Sequence, residues 1–434
     1  MDIIKKALRL GADDVIVESL KGKFNQVKFA NNSITVSQSW DIFRYNIFLA
    51  LKKRIVNTTI YDVSKKSIEK TVKSLVKAAK LIKPNNDYFG IARGPFRYKP
   101  VGELYDKKIE NVSGIDIVES AVNSALQYSK KTAGVFYSSL NERNIETSSN
   151  ISASEKTTSI SISLRAFNKK DESGHSISCS RVLNKFKPEA AGEKAGSIAE
   201  LAKKPHKGEQ GSFDVIFDPF AIANLLSVIG RFSSSFAVDS GFSFLRDKLG
   251  KRIGNRIVNL IDNGRINNGL NSYAFDHEGV PTKTTIIIDK GILKTYLHNT
   301  STARKHKTKT TANAGLIAPE PTNIILKLGK YSKQSLFKNV KNGLYITNVW
   351  YTRFQNYLTG DFSTIPRDGV FLIKNGETIR SLKGIRVSDN LQRILLNIVR
   401  ISNKPEWIQG WESENPVFTP YVLVKDVNIT LPTM

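Results

Sequence analysis

The stretch from Asp276 to Leu297, DHEGVPTKTTIIIDKGILKTYL, carries the clearest strand signal in the chain. Two runs rich in apolar residues, Thr284–Ile288 and Ile292–Leu297, flank Asp289-Lys290-Gly291. A short polar segment ending in Gly between two such runs is typical of a β-hairpin. This part of the chain is therefore predicted to fold into strands.

The sequence on either side extends this pattern. Lys374-Asn375-Gly376 predicts a second hairpin, and Tyr421–Ile429 predicts a final strand. Phe213–Phe217 predicts a strand that leads into a helix from Pro219 to Ile229. Asp218 fits the N-cap of that helix, because its carboxylate can accept backbone N–H bonds and a proline follows at the first helical position. Another helix is predicted from Asn390 to Val399.

The first half of the chain alternates helices and strands. Met1–Ala12 predicts a short amphipathic helix, and Ala30-Asn31-Asn32 predicts a hairpin turn. A long helix is predicted from about Val63 to Ile82, since its apolar residues recur at helical spacing. Three or four antiparallel strands are expected between Ala133 and Val182.

We expect an α+β fold in three segments. Residues 1–105 are predicted to form an N-terminal α+β domain with antiparallel strands, and residues 106–210 a central α+β segment packed with it. Residues 211–434 are predicted to form a strand-rich C-terminal domain. The polar stretch Lys203–Gly211 contains Pro205 and two glycines, which is typical of a boundary.

The composition indicates a globular protein with a basic surface. The chain has 434 residues and a formal net charge of +26, which attracts anions in general. The Lys and Arg residues are scattered along the chain, so no specific nucleic-acid site is predicted. Cys179 is the single cysteine, which excludes an intramolecular disulfide and fits a reducing cytosol. No stretch approaches the roughly 20 apolar residues of a membrane span, so we expect a cytoplasmic protein without a membrane partner.

Metal ligands are not evident in the sequence. No H-E-x-x-H motif occurs, and none of the five histidines has a second one at helical ligand spacing. His175 and Cys179 fall on one predicted strand, but four residues of strand separate them by roughly 13 Å. No metal and no cofactor is therefore predicted.

Asp276 and Glu278 are the most informative polar residues. Two carboxylates at i and i+2 before Gly279 could bind a metal or act as acid and base. They could equally accept backbone N–H bonds and fix a turn. The lack of histidine partners favours the structural role.

Seven short stretches, in this order, resemble the TldD/PmbA family, whose members were once described as modulators of DNA gyrase. Each is weak alone, but together they span essentially the whole chain. The stretches are Gly11-Ala12-Asp13, Ser243-Phe244-Leu245 with Lys248-Leu249-Gly250, Asp276–Pro281, Asn299–Ala303, Thr310–Ala314, Asn356 with Thr359–Ser363, and Asn390-Leu391-Gln392.

The resemblance implies a choice between two branches. TldD-like members carry H-E-x-x-x-H at the start of a helix and a late cysteine, which together bind zinc. The matching place here reads Asp218–Ala223, and Glu406–Pro420 contains no cysteine. The sequence therefore resembles the zinc-less PmbA branch, also called TldE. It departs from the simplest family pattern at His277, which lies between the two carboxylates.

The resemblance also implies a fold, a function and partners. The C-terminal domain is expected to be barrel-like. The chain is expected to be a non-catalytic subunit of a TldD/TldE-type metalloprotease complex that degrades or processes unfolded peptides, as a heterodimer with a TldD-like zinc subunit or as a homodimer. Seven residues are carried over as structural or chamber-lining positions: Asp276, Glu278, Gly279, Asn313, Gly360, Asp361 and Ser363.

Two other functions remain open from the sequence. One is a regulatory protein associated with nucleic acid or DNA gyrase, suggested by the positive charge and the family's older description. The other is a metallopeptidase with an unrecognised site around Asp276, Glu278 and His298.

The segment from Ser233 to Lys251 is a candidate partner interface. Phe242 and Phe244 lie there among Ser and Gly residues, a composition that suits an irregular contact surface. The same aromatic residues could instead fill the core of their own domain.

Overall fold

The computed structural model describes residues 3–432, so Met1 and Asp2 of the first predicted helix lie outside it. The elements of the first half are α1 (Ile3–Arg9), β1 (Asp14–Ala30), β2 (Ser33–Leu51), β3 (Arg54–Ile60), α2 (Lys65–Leu81), α3 (Gly114–Leu126), β4 (Lys131–Thr147), β5 (Ser152–Phe167), β6 (Ser173–Ser180) and α4 (Pro188–Leu201). Short 3₁₀ helices occupy Lys107–Asn111 and Leu183–Lys185.

The elements of the second half are mostly strands. They are β7 (His206–Lys207), β8 (Gly211–Phe217), α5 (Pro219–Phe232), α6 (Ser235–Asp239), β9 (Leu260–Asn263), β10 (Thr284–Asp289), β11 (Ile292–Leu293), α7 (Thr300–Lys305), β12 (Ile324–Leu326), α8 (Lys333–Lys338), β13 (Asn342–Asn356), β14 (Asp361–Lys374), β15 (Glu377–Lys383), β16 (Arg386–Asn390), α9 (Leu391–Leu396), β17 (Ile398–Gly410) and β18 (Ser413–Thr430). The predicted α+β class with a strand-rich second half is confirmed.

The first sheet is antiparallel, with strand order β3-β2-β1-β4-β5-β6. The predicted turn is present at Asn31 and Asn32, which have φ values of 50° and 70° and so suit a tight hairpin. Strands β1, β2 and β4 are long, with 17, 19 and 17 residues. β1 pairs without interruption with β4 from Ile16 to Ala30, across polar as well as apolar residues.

Helices cover this sheet. α2 buries Ile68, Val72, Leu75, Val76 and Ala79, the apolar stripe predicted for the long helix. α3 and α4 pack together so closely that a Cβ added to Gly192 would lie 2.1 Å from the carbonyl oxygen of Ala121. Glycine is thus required at this helix contact.

The second sheet contains twelve strands and is mixed, with parallel and antiparallel pairs. Strands β18, β8, β13, β14 and β16 are linked in a ring of pairings. The whole sheet nevertheless ends at β11 and β7 and is not a closed barrel. Only the ring of five paired strands resembles the barrel that was expected.

One helix boundary differs from the sequence-based prediction. The helix predicted from Asn390 to Val399 ends at Leu396. The reason is that Ile398, the first residue of β17, already pairs with Val424 of β18. The boundary stretch near Lys203 includes β7, whose His206 pairs with Leu382 of the second sheet. The first sheet contains strands from both residues 1–105 and residues 106–210, and the three-segment division stays a prediction.

No helix within residues 3–432 combines the length and apolar character needed to cross a bilayer.

Candidate functional site

Helix α5 occupies the place where the family resemblance would put zinc ligands. Asp218 caps it, with Oδ1 accepting from the backbone N of Phe220 at 3.1 Å and Pro219 in the first turn, as predicted. The helix reads PFAIANLLSVIGRF and contains no His, Cys, Asp or Glu. Most of its side chains are buried, and it packs against β13 and β18. It therefore offers no side chain of the kinds that bind zinc in proteins.

The carboxylate of Asp218 is neutralised by a lysine. Nζ of Lys194 lies 3.1 Å from Asp218 and 2.9 Å from Glu406, and the hydroxyl of Tyr345 donates to Asp218 at 2.7 Å. Burial opposes the charged ammonium, but the charges of Asp218 and Glu406 outweigh it and raise the pKa of Lys194 well above its usual value. Lys194 therefore supplies the positive charge that balances Asp218 at the start of α5.

Cys179 lies beside the late region from which the family's zinc-binding cysteine is missing. Its Sγ is 3.2 Å from the carbonyl oxygen of Trp407 in β17. Burial raises the pKa of the thiol to about 12. The thiol is therefore protonated at neutral pH, and only the thiolate is a good nucleophile or metal ligand.

Across residues 3–432, no three or more His, Cys, Asp and Glu side chains are grouped so that they could hold a metal ion. Asp276, Glu278 and His298, the alternative metal site, do not form such a group. His298 instead contacts Thr302, with its Nδ1 3.3 Å from the hydroxyl oxygen. Burial, followed by the charge of His306, lowers the pKa of His298 to about 4.

A groove of about 930 Å³ lies between α5, the β13–β14 hairpin and the turn that joins β17 to β18. The rings of Phe354 and Tyr357 stack at 5.6 Å, and Phe242 meets Tyr357 edge-on at 5.8 Å. Trp411 is 85% exposed and Phe242 is 57% exposed. Exposed aromatic surface in a concave site is typical of a binding surface.

Hydrogen bonds hold the walls of this groove in place. The Glu412 side chain accepts from the backbone N of Tyr351 at 3.0 Å, and its carbonyl oxygen accepts from Nδ2 of Asn224 at 2.9 Å. The hydroxyl of Thr352 donates to Oδ1 of Asn224 at 2.7 Å. The β17–β18 turn and strand β13 are thus both tied to α5. The shape of the groove is largely set before any ligand arrives.

The two candidate interface residues differ in environment. Phe244 is only 1% exposed, and its ring is 5.9 Å from that of Phe232. A Cβ added to Gly360, which has a φ of +83°, would lie 3.1 Å from the Phe244 ring. Phe244 therefore belongs to the core, the second of the two possibilities raised by the sequence. Phe242 remains a candidate contact residue.

Asp361 and Ser363 connect β14 to neighbouring strands and to α9. Asp361 accepts from Nδ2 of Asn390 at 2.8 Å, and Asn390 is also the N-cap of α9. The hydrogen bonds from Asn390 and Thr359 lower the pKa of Asp361. Nε of Arg386 donates to the hydroxyl of Ser363 at 2.9 Å. These residues stabilise the sheet near the groove.

The acidic turn, Asp276–Val280, is organised by Asp276. Its carboxylate accepts from the backbone N of Glu278, Val280 and Ala314 at 2.9, 2.9 and 3.0 Å. Gly279 has a φ of +77°, a conformation that favours glycine. Burial raises the pKa of Asp276. These bonds give Asp276 a turn-forming role.

Asn313 belongs to the same neighbourhood. Its Nδ2 donates to Asp262 at 2.6 Å and to the carbonyl oxygen of Glu320 at 3.0 Å. The family positions thus fall into two groups, one at the acidic turn and one beside Phe244 and the groove.

A buried charge network that the sequence did not reveal joins the acidic turn to the first sheet. Nδ1 of His277 lies 3.2 Å from Glu18, and Arg143 lies 3.3 Å from Glu18 and 2.7 Å from Glu155. Arg143 also donates to the carbonyl oxygen of Phe275. Because these residues are far apart in the chain, no local pattern signals their contact.

The order of these motifs along the fold resembles that of the PmbA/TldD family of metallopeptidases. Residues 210–431 match the family described as the PmbA/TldA metallopeptidase C-terminal domain. The chain belongs to this family.

Relatives agree with this assignment. A metalloprotease of Methanocaldococcus jannaschii is 33% identical over 212 residues, which is 46% of each chain. A metalloprotease PmbA homolog of Buchnera aphidicola is 35% identical over 162 residues, 37% of this chain and 35% of the relative. The match thus spans about half or less of these relatives' length. The structure of TldE from Thermococcus kodakarensis covers 99% of each chain with a TM-score of 0.88 and 18% identity, a likeness of fold.

Proposed function

We propose that this chain is a zinc-less, PmbA/TldE-like subunit of a metalloprotease complex that degrades or processes unfolded peptides. The observation that carries the proposal is the composition of α5. The helix keeps its cap and its place beside a large groove, yet it has no metal-binding side chain. A peptidase fold with a groove but without ligands suits a subunit that binds or guides peptide.

The groove supports a role in holding extended peptide. Its aromatic rings offer apolar contact area, and its charged side chains, Arg231, Arg353, Glu412 and Glu414, balance in number. An unfolded segment exposes apolar side chains that could pack on these rings. Arg231 already pairs with Glu414 at 3.0 Å, which leaves the rings as the main source of affinity.

A TldD-like zinc subunit is the proposed partner, with a homodimer as the other arrangement. Phe242, Phe236 and Leu249 are 57%, 51% and 53% exposed within the segment predicted to be an interface. A partner surface would remove this apolar area from water. The net charge of +26 would speed encounter with an acidic subunit. The expected location for such a complex is the cytoplasm.

Reconstitution with a TldD-like metallopeptidase tests the proposal. Each chain alone and the mixture are assayed for zinc by elemental analysis, for association by analytical ultracentrifugation, and for cleavage of an unfolded peptide. We expect no zinc and no cleavage from this chain alone, and faster cleavage by the mixture than by the partner alone. One zinc per chain of this protein, lost together with its own peptidase activity on chelation, would contradict the proposal.

The groove is tested in the same assay. Trp411→Ala and Tyr357→Ala should raise the KM of the mixture for peptide without changing association. Tyr137→Ala, at an exposed tyrosine on β4 outside the groove, is the matched control. An unchanged KM in both groove variants would argue against peptide binding there.

A further inference from the structure

A small cavity lies between the first sheet and the second half of the chain. Its volume is about 180 Å³, which is room for roughly six water molecules. One side is apolar, and the other carries acidic groups. The apolar lining includes Ile16, Phe48, Ile55, Ile91, Leu316 and Ile317.

The charges of the lining do not balance. The acidic residues are Asp87, Asp239 and Glu278, and Lys305 is the cationic residue among the lining side chains of the described chain. Nζ of Lys305 lies 2.8 Å from Asp87 and 2.8 Å from Asp239. The ammonium of Lys305 is therefore shared by the two aspartates, and within residues 3–432 no Lys, Arg or His side chain forms an ion pair with Glu278.

Glu278 is only 5% exposed and lines the cavity. Within the described residues, its carboxylate accepts one hydrogen bond, from the backbone N of Thr300 to Oε2 at 3.3 Å. Oε1 accepts none. An unpaired carboxylate in such a place is costly unless a ligand supplies a donor and a positive charge.

The groups around Glu278 favour a cationic ligand. Burial, followed by the charge of Asp276, raises the pKa of Glu278 to about 8, and the charge of Arg304 offsets this only in part. Tyr88 faces the same carboxylate, but its hydroxyl donates to Asp14 at 2.7 Å. A bound ammonium would stabilise the ionised form of Glu278.

We propose that this cavity binds an alkylammonium group, with the ammonium against Glu278 and the carbon chain along the apolar side. A free alkylamine and the side chain of a peptide lysine share this chemistry. The volume admits a chain of about the size of either one. This site is independent of the groove and of the proposed peptidase role.

Calorimetric titration tests the site with n-butylammonium chloride, with N-acetyl-lysine amide, and with 1-pentanol as the uncharged probe. We expect at least one ammonium probe to bind and the alcohol to bind at least about 10-fold more weakly, since the pair with Glu278 is lost. Binding of butylammonium alone identifies a free amine as the ligand. Binding of the lysine derivative identifies a peptide side chain. Equal affinity for the alcohol, or binding of no ammonium probe, would overturn the proposal.

The pH dependence gives a second readout. Since Glu278 must ionise to pair, affinity for the ammonium probe should rise roughly 100-fold from pH 6 to pH 9. Glu278→Gln should remove both the tight binding and this rise. Glu172→Gln is the matched control, because Glu172 is 6% exposed and accepts from the backbone N of Lys204, away from the cavity.

A variant at the rim keeps the test valid if Glu278→Gln fails to fold. Ile317 is 46% exposed at the edge of the cavity, so Ile317→Trp should block entry while leaving Glu278 in place. Loss of ammonium binding in a folded Ile317→Trp protein supports the site. Unchanged binding in either folded variant would place the probe elsewhere and overturn the proposal.

Discussion

Nδ1 of His277 lies 3.2 Å from Oε1 of Glu18, which pairs the acidic turn with the first strand of the first sheet. Arg143 approaches the same oxygen at 3.3 Å. Burial alone would raise the pKa of Glu18. The nearby imidazole of His277 and guanidinium of Arg143 lower the pKa to about 2. Glu18 is thus ionised in the folded chain, and its charge stabilises the contact between the two halves.

The first prediction concerns acid stability. The pKa of Glu18 falls from 4.5 to about 2 on folding, so its contribution is complete above pH 4.5 and is lost as pH falls towards 2. Glu18→Gln should therefore cost about 3 kcal/mol at neutral pH and almost nothing near pH 2. Urea unfolding from pH 2 to 7 measures the difference. Glu110→Gln, which removes a half-exposed partner of Lys23, should show little change. A constant difference at all pH values would contradict this prediction.

The second prediction concerns Glu278, whose effect on stability has the opposite pH dependence to that of Glu18. The pKa of Glu278 rises from 4.5 to about 8, so stability is lost as pH rises between these values. Glu278→Gln should stabilise the chain by roughly 4 kcal/mol at pH 8 and have almost no effect near pH 4.5. Melting temperatures at pH 5 and pH 8, without amines, provide the check. A variant that is less stable at pH 8 would show that the ionised carboxylate has a partner.

The third prediction separates core from surface. Phe244→Ala should cost about 3–5 kcal/mol, because a buried ring is removed from the core. Phe242→Ala should cost less than about 1 kcal/mol and instead weaken association with a TldD-like partner. Denaturant unfolding and sedimentation of the mixture distinguish the two. Equal destabilisation by both changes would rule out the assignment of Phe242 to a surface.

The fourth prediction concerns helix packing. Replacing Gly by Ala inside an exposed helix normally stabilises it by about 1 kcal/mol. At Gly192 the added Cβ would lie 2.1 Å from the carbonyl oxygen of Ala121, so Gly192→Ala should destabilise the chain by about 1–3 kcal/mol. Glu193→Ala, at the next and exposed position of α4, is the control and should be nearly neutral. A stabilised Gly192→Ala protein would mean that α3 and α4 can separate at little cost.

The fifth prediction concerns DNA. Binding should be weak and independent of sequence, and it should fall steeply with salt, because scattered lysines contact phosphates only. Replacing the exposed lysines of α2 by Gln should lower the salt slope by up to about 0.9 per lost contact. Fluorescence anisotropy with two unrelated duplexes measures both effects. Nanomolar, sequence-selective binding at physiological salt would favour a nucleic-acid function. The lysines are Lys65, Lys66, Lys70, Lys73, Lys77 and Lys80.

Local chemistry in the sequence predicted the elements that depend on neighbouring residues. The cap at Asp218, the turn at Asn31-Asn32 and the apolar stripe of α2 all follow from spacing within a few positions. The motif order also indicated the family. These features are local, so one sequence is enough to find them.

Features that depend on distant partners could not be predicted. Strand β1 continues past its polar residues because β4 supplies hydrogen bonds along its length. Helix α9 ends at Leu396 because Ile398 pairs with Val424 of β18. His277 was singled out, but its partner Glu18 lies on β1, more than 250 residues earlier in the chain, and leaves no mark in the sequence near His277.

Cys179 gives the chain a built-in probe of local opening. Its thiol is the single one in the sequence, and it is covered where β6 meets Trp407 of β17. Burial and the raised pKa of the thiol both slow its reaction with a thiol reagent, and opening of this contact would speed it. The rate of labelling therefore responds to separation of β6 from β17, without any engineered label. Comparing that rate with and without a partner subunit would show whether assembly stabilises the contact between β6 and β17.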